Sequence, residues 1–328
     1  MATAKKMTRT FAYKRADGYT KASLEDLIRL AVKQSPTIGS RKLDVSTYGD
    51  GETFHLLNDY HDLPPTYFAG VLCSYSPGRH QQIFPIEDTA TTVPLSSLEP
   101  KIINQNGKKI TQEFPEGSIY FILRGNHVVL SPSMAFRPEK AEHYFNWLLR
   151  DRAKLLHAPT VIYLQDQPPP DKLAKIDHVK SLTIGDSISF SSSLQKDRSE
   201  TKIFDVKPEG HLWEAFRSLI PDLPETVSLT KALTDEVIRA SLTLKIGRKG
   251  KDAEDFFNQV ATATRNQEGL DFTIDMGKHG RLKSNEFKLT HHWPFELVDG
   301  KINQLEVFRK MNDWLDGLLK TKRIFRKV

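Results

Sequence analysis

GSIYFILRGNHVVLSPS, residues 117–133, places two β-rich apolar runs on either side of Arg124-Gly125-Asn126-His127. Runs of that kind around a short Gly-containing turn predict a β-hairpin. PEKAEHYFNWLLRDRAKLL (138–156) follows, with Pro138 in its first turn and Ala141, Tyr144, Phe145, Leu148 and Leu149 on one helical face. This is the pattern of a helix laid on a core, and its aromatics read as packing.

Upstream of the hairpin the chain alternates further. TRTFAYKR reads as a short strand. SLEDLIRLAVKQ (23–34) reads as a helix with Ser23 at its N-cap and Leu24, Leu27, Ile28, Ala31 and Val32 at helical spacing. KLDVSTYGDGETFHLLN (42–58) is two alternating runs around Gly49-Asp50-Gly51, a second hairpin signal, and TYFAGVLCSYS (66–76) another strand. Residues 81–109 are turn-rich and weakly patterned. Downstream, the three consecutive prolines of QDQPPPD (165–171) predict a boundary. Strands VKSLTIGDSISFSS (179–192) and ETKIFDVK (200–207) and a short helix at 211–220 come next. ASLTLKI, a helix at 252–266, LDFTID, RLKSNEFKLT and a terminal helix at 303–323 complete the order. Strand–helix–strand–strand–helix predicts an antiparallel sheet with helices on one face. The expected fold is α+β, two domains of antiparallel sheets with helices packed on one face. The expected organisation is residues 1–157, a proline-flanked β-rich middle at 158–236, and a basic region at 237–328 packed with one of the others.

The 328 residues suffice for a buried core, and no run of 18 apolar residues suggests a membrane span. The start MATAKKMTRTF lacks an apolar signal region, and Cys73 is the single cysteine, so a soluble cytoplasmic protein is expected. Net charge is +6, and residues 237–328 hold 18 Lys+Arg against 12 Asp+Glu, while residues 1–236 are balanced. Such asymmetry points toward nucleic acid or another anionic surface.

Within that region LTLKIGRKGKD (242–252) is a strand closing on Lys245, Arg248, Lys249 and Lys251, before a helix start at Asp252. Cations beside a helix N-terminus suit a phosphate, and they equally suit an ordinary exposed turn. GRKGK lacks the spacer and Ser/Thr of a Walker loop. A second basic set is Lys278, His279, Arg281, Lys283 and Lys288. A third is the tail, Lys320, Lys322, Arg323, Arg326 and Lys327, which also complements a helix dipole. Charge without interleaved aromatics favours duplex-backbone contact over base stacking. Asp275 with Glu286 and Lys288 has the D…ExK order of a magnesium-dependent nuclease, an order that also arises in any solvated Lys/Glu-rich strand. His291-His292 are adjacent and would point to opposite faces of a strand, so no metal is expected there. Cys73 reads as core, and no cofactor motif is present.

The run of features YGDGETFHLLN, IYFILRGNHVVLSPSMAF and its helix, and ASLTLKIGRKGKDAEDFFNQV resembles the RexA family of phage exclusion proteins encoded by lambda-like prophages. The resemblance covers nearly the whole chain, which is longer than the type member chiefly around residues 80–115. It implies a two-domain α+β homodimer, similar in shape to the recombination-associated protein RdgC, that clasps duplex DNA without strong sequence preference and serves antiviral defence. It implies no enzymatic role, and leaves room for a membrane or effector partner without direct membrane insertion. The family's lysine-rich turn corresponds to Lys245, Arg248, Lys249 and Lys251. A magnesium-dependent nuclease and a non-catalytic module whose basic face meets an acidic protein are the alternative expectations.

Overall fold

The computed structural model describes residues 5–17, 22–46, 51–63, 67–83, 91–92, 95–157, 160–167, 181–193, 204–209, 227–229, 238–245, 271–275, 280–283, 286 and 288–324. The chain divides into two compact units, residues 1–165 with 289–328, and residues 166–288. The division between Gln165 and Asp166 lies in the stretch QDQPPPD. Of the region 237–328, the last forty residues, 289–328, belong with the first unit.

In chain order the first unit opens with β1 (Lys6–Asp17), α1 (Leu24–Gln34), β2 (Lys42–Asp44), β3 (Phe54–Leu63) and β4 (Tyr67–Tyr75). Two small hairpins follow, β5 (Gln81–Ile83) with β6 (Ser96–Leu98), and β7 (Lys101–Gln105) with β8 (Lys108–Gln112). Then come β9 (Gly117–Arg124), β10 (His127–Pro132), α2 (Pro138–Asn146) and β11 (Tyr163–Gln165). The second unit supplies β12 (Ser181–Ser193), β13 (Phe204–Glu209), β14 (Val227–Leu229), β15 (Ile238–Lys245), β16 (Asp271–Asp275) and β17 (Arg281–Lys283). The chain returns to the first unit with β18 (Thr290–Val298), β19 (Lys301–Ile302) and α3 (Gln304–Lys320).

The α+β class holds. The main sheet of the first unit runs β19-β18-β1-β10-β9-β4-β3-β2, with β11 also on β1, and all its pairings are antiparallel. The hairpin β9–β10 sits in the middle, turning through Gly125 at φ 60°, which an L side chain adopts at a cost. The turn docks on the start of α1: the Leu24 N–H donates to Asn126 Oδ1 at 2.8 Å and the Gly125 N–H to Glu25 at 2.6 Å. At the same end Ser23 caps the helix by accepting from the Asp26 N–H.

Helices cover both faces of this sheet, not one. Ile119, Phe121 and Leu123 of β9 pack with α1 and α2 against Ile28, Tyr144 and Phe145. Ile122 faces the other way, with Phe11, Val129 and the stripe Val307, Phe308, Met311, Leu315 and Leu318 of α3. A strand buried on both sides reads as an unbroken apolar run, which is what IYFIL is. Each large apolar side chain so buried contributes about 1.5–3 kcal/mol relative to an exposed one. The helix expected over 138–156 is α-helical only to Asn146. It then widens, with the Ala153 N–H bonding to the Leu148 carbonyl five residues back. The weak pattern at 81–109 conceals two hairpins, because nearly all of their residues are exposed on both sides and no face needs to be apolar.

The sheet of the second unit runs β14-β13-β12-β16-β17, with β15 on β12. The helices expected at 211–220 and 252–266 lie outside the described residues. Among the described residues no helix is long and apolar enough to cross a membrane.

Candidate nucleic-acid interface

The register of the second unit's sheet determines which polar side chains share a surface. Ser181 of β12 lies opposite Lys245 of β15 on one side and Asp275 of β16 on the other, and Asp275 lies opposite Arg281 of β17. Lys245, Ser181, Asp275 and Arg281 therefore form one row across four strands. Two residues further along β12, Thr183 lies opposite Thr243 and Thr273, and Thr273 opposite Lys283. Residues directly opposite, and residues two apart along a strand, share a face. These eight positions, all polar, make up one face. The intervening row is Leu244, Leu182, Ile274 and Leu282, and Ile274 is fully buried. The alternation visible in ASLTLKI thus extends across the sheet.

On the polar face the Thr183 and Thr243 hydroxyls are 3.1 Å apart. Arg281 Nε stands 3.5 Å from the Asp275 carboxylate, and the arginine side chain keeps 74% of its exposure. An ion pair that exposed adds about 0–1 kcal/mol. The guanidinium keeps its other donors toward solvent, as a phosphate-binding arginine requires. Lys283 is exposed as well. With strands about 4.8 Å apart, the row from Lys245 to Arg281 spans about 14 Å.

Lys245 of the first basic set and Arg281 and Lys283 of the second share one end of one sheet. Arg248, Lys249, Lys251 and Lys278 lie outside the described residues, but the strand ends that precede them, Lys245 and Asp275, stand in the same row. Of the third set, Lys320, Lys322 and Arg323 are among the described residues. Lys322 and Arg323 belong to the first unit, in the turn that ends α3. Lys322 has φ 54°, and the Arg323 N–H donates to the Leu318 carbonyl at 3.0 Å. They take the positions that close a helix C-terminus, where cations also meet the helix dipole.

The D…ExK order does not form a strand pair. The strand expected over 281–290 stops at Lys283, and Glu286 and Lys288 lie past its end. The Glu286 carboxylate accepts the Lys283 N–H at 2.9 Å, and Asp275 faces Arg281. Among the described residues no three His, Cys, Asp or Glu side chains are grouped to hold a metal ion. The ring of His291 lies against Trp293 and Trp314, while His292 Nδ1 is 2.9 Å from the Thr10 hydroxyl. Cys73 packs on the α3-side core, and burial pushes its thiol up to about 11.

The charge balance also changes when it is counted by unit. Residues 166–288 hold 19 Lys+Arg and 20 Asp+Glu; the first unit holds 28 and 21. Half of the positive excess of residues 237–328 goes to the first unit, because residues 289–328, with 8 Lys+Arg against 5 Asp+Glu, belong there; residues 237–288 hold 10 against 7, and the acids of residues 166–236 offset them. The second unit offers a local cluster of cations, not a net charge. At physiological salt the screening length is about 8 Å, so a local cluster is what an anion at contact would feel.

The Ser181–Thr183–Thr243–Thr273 hydroxyl surface was not anticipated from the sequence. Its signal was the polar phase of the alternation in β12, β15 and β16. Neither a protein-family model nor a curated protein matches the chain.

Proposed function

We propose that this chain is a DNA-binding protein that grips the phosphates of duplex DNA without reading base sequence. In this reading it acts in the cytoplasm as a homodimer, in the phage-exclusion role that the RexA resemblance implies. The observation that carries the reading is the row Lys245–Ser181–Asp275–Arg281 with Lys283 behind it. Cationic positions about 14 Å apart compare with a major groove about 12 Å wide, so the two ends of the row can reach phosphates on both walls. Serine and threonine hydroxyls between them are donors of the kind that fix a protein on the backbone without specifying sequence.

The test is titration of a labelled duplex at several salt concentrations with wild type and Arg281→Ala/Lys283→Ala. Each lost phosphate contact lowers the log–log salt slope by about 0.9. The double variant should therefore bind with a slope shallower by about 2, and weaken equally on unrelated sequences. An unchanged slope would show that this face does not touch the backbone.

A further inference from the structure

We propose that the β7–β8 hairpin is a second DNA-contacting element, a ribbon that enters the major groove with its lysines on the flanking phosphates. The inference rests on the DNA-binding reading above, but its residues lie in the other unit and its observations are separate.

Lys101–Gln105 and Lys108–Gln112 pair only with each other, as a two-stranded sheet. Every residue of the two strands is exposed except Ile103, which is half-buried. An isolated two-stranded ribbon gains little from a core and is marginal alone in water. A stretch this exposed is therefore not explained by packing. Its tip is Asn106-Gly107, at φ 50° and 76°, so both central residues are left-handed, as in the tight hairpin turns that match strand twist. From Lys101 to Gln112 there are three lysines and no acid. Among the described residues none of the three makes an ion pair.

The register distributes these cations. Gln105 lies opposite Lys108 and Asn104 opposite Lys109, with Lys101 opposite Gln112 at the base. Lys101 and Lys108 share one face and Lys109 occupies the other. A ribbon of two strands fits a groove about 12 Å wide, and in such a groove phosphates line both walls. Lysines on both faces can meet both. The tip residues Asn104, Gln105 and Asn106 are carboxamides, which pair with base edges or backbone alike. The positive excess of the first unit favours the same anionic partner.

The experiment compares wild type, K101A/K108A/K109A and the R281A/K283A variant by anisotropy of a labelled 20-base-pair duplex across a salt series. Because the three lysines are exposed, the circular dichroism melt of the triple variant should match wild type. Its salt slope should be shallower by about 2–3, with binding about 100- to 1,000-fold weaker near 0.1 M salt. Combining the two sets of substitutions should add their effects. Wild-type binding with an unaltered triple variant would overturn the ribbon and leave the DNA-binding reading standing. A wild type that does not bind would overturn both. A triple variant that changes sedimentation and not the slope would assign the ribbon to pairing between copies of the chain, against this proposal.

Discussion

Lowering the pH should destabilise the first unit through two buried histidines, and His127 allows the effect to be worked out. Its Nδ1 stands 2.8 Å from the Tyr13 hydroxyl and its Nε2 3.2 Å from the Arg15 guanidinium. An arginine can only donate, so the ring nitrogen it meets accepts and the ring is neutral. Burial, and then the charges of Arg15 and Arg124, hold its pKa down at about 4 instead of 6.5. His55, beneath the ring of Phe136 and near Lys140 and His143, is likewise held at about 4. Above pH 6.5 both rings are neutral in the folded and unfolded chains and contribute nothing to pH dependence. Between 6.5 and 4 the unfolded chain binds protons that the fold refuses, so stability falls as pH falls and levels off below 4. Integrating between those two pKa values gives about 3 kcal/mol for each histidine, against a total stability of about 5–15 kcal/mol. His127→Gln keeps an acceptor for Arg15 and removes the titration. Urea unfolding followed by tryptophan fluorescence reads mainly this unit, which holds Trp147, Trp293 and Trp314. The gap between wild type and variant, measured at pH 7.5, should shrink by about 3 kcal/mol at pH 4. If the two stability curves ran parallel over that range, His127 would not be the neutral acceptor described.

Two further substitutions probe the same core. The Tyr144 hydroxyl donates to the Arg41 carbonyl at 2.6 Å and accepts the Leu57 N–H at 3.1 Å, beside the bulge that shifts the β3–β4 register after Leu57. Tyr144→Phe removes a partner from two buried backbone groups and should cost about 2–4 kcal/mol in urea unfolding. Gly70→Ala would set a methyl 2.7 Å from Phe121 Cζ and 2.9 Å from Leu57 Cδ1. Overpacking of that kind should lower stability by about 1–3 kcal/mol, read as a lower melting temperature with an unchanged far-ultraviolet spectrum.

Counting charges along a chain and counting them on a surface are different operations here. Arg41 is buried, donating from Nε to the Leu57 carbonyl and from its terminal nitrogen to the carbonyls of Ser35 and Pro36. It is a structural clamp and offers nothing to a phosphate. Lys14 is buried too. The lysines of the β7–β8 hairpin, by contrast, lie in a segment whose sequence pattern was weak, and they are fully available to a partner. Position in the fold, more than residue type, decides which cations can bind.

What the amino-acid sequence determined by itself was local. The hairpin at 117–133, helix α1 with its Ser23 cap, helix α3, and the alternation of β12, β15 and β16 are each written within a dozen residues. Periodicity, capping and turn chemistry act over that range. What only the tertiary structure decided was pairing at a distance. THHWPFELV gives no clear strand signal, yet β18 pairs with β1 over seven positions, Thr8 opposite Pro294, and carries α3 onto the back of the sheet. That pairing regroups the charges and covers the second face. Within the second unit, Lys245 and Arg281 share a row only because β12 lies between β15 and β16. A strand's own residues fix which of its faces is apolar, while its neighbours are chosen by burial summed over the whole chain, and no window of sequence contains that sum.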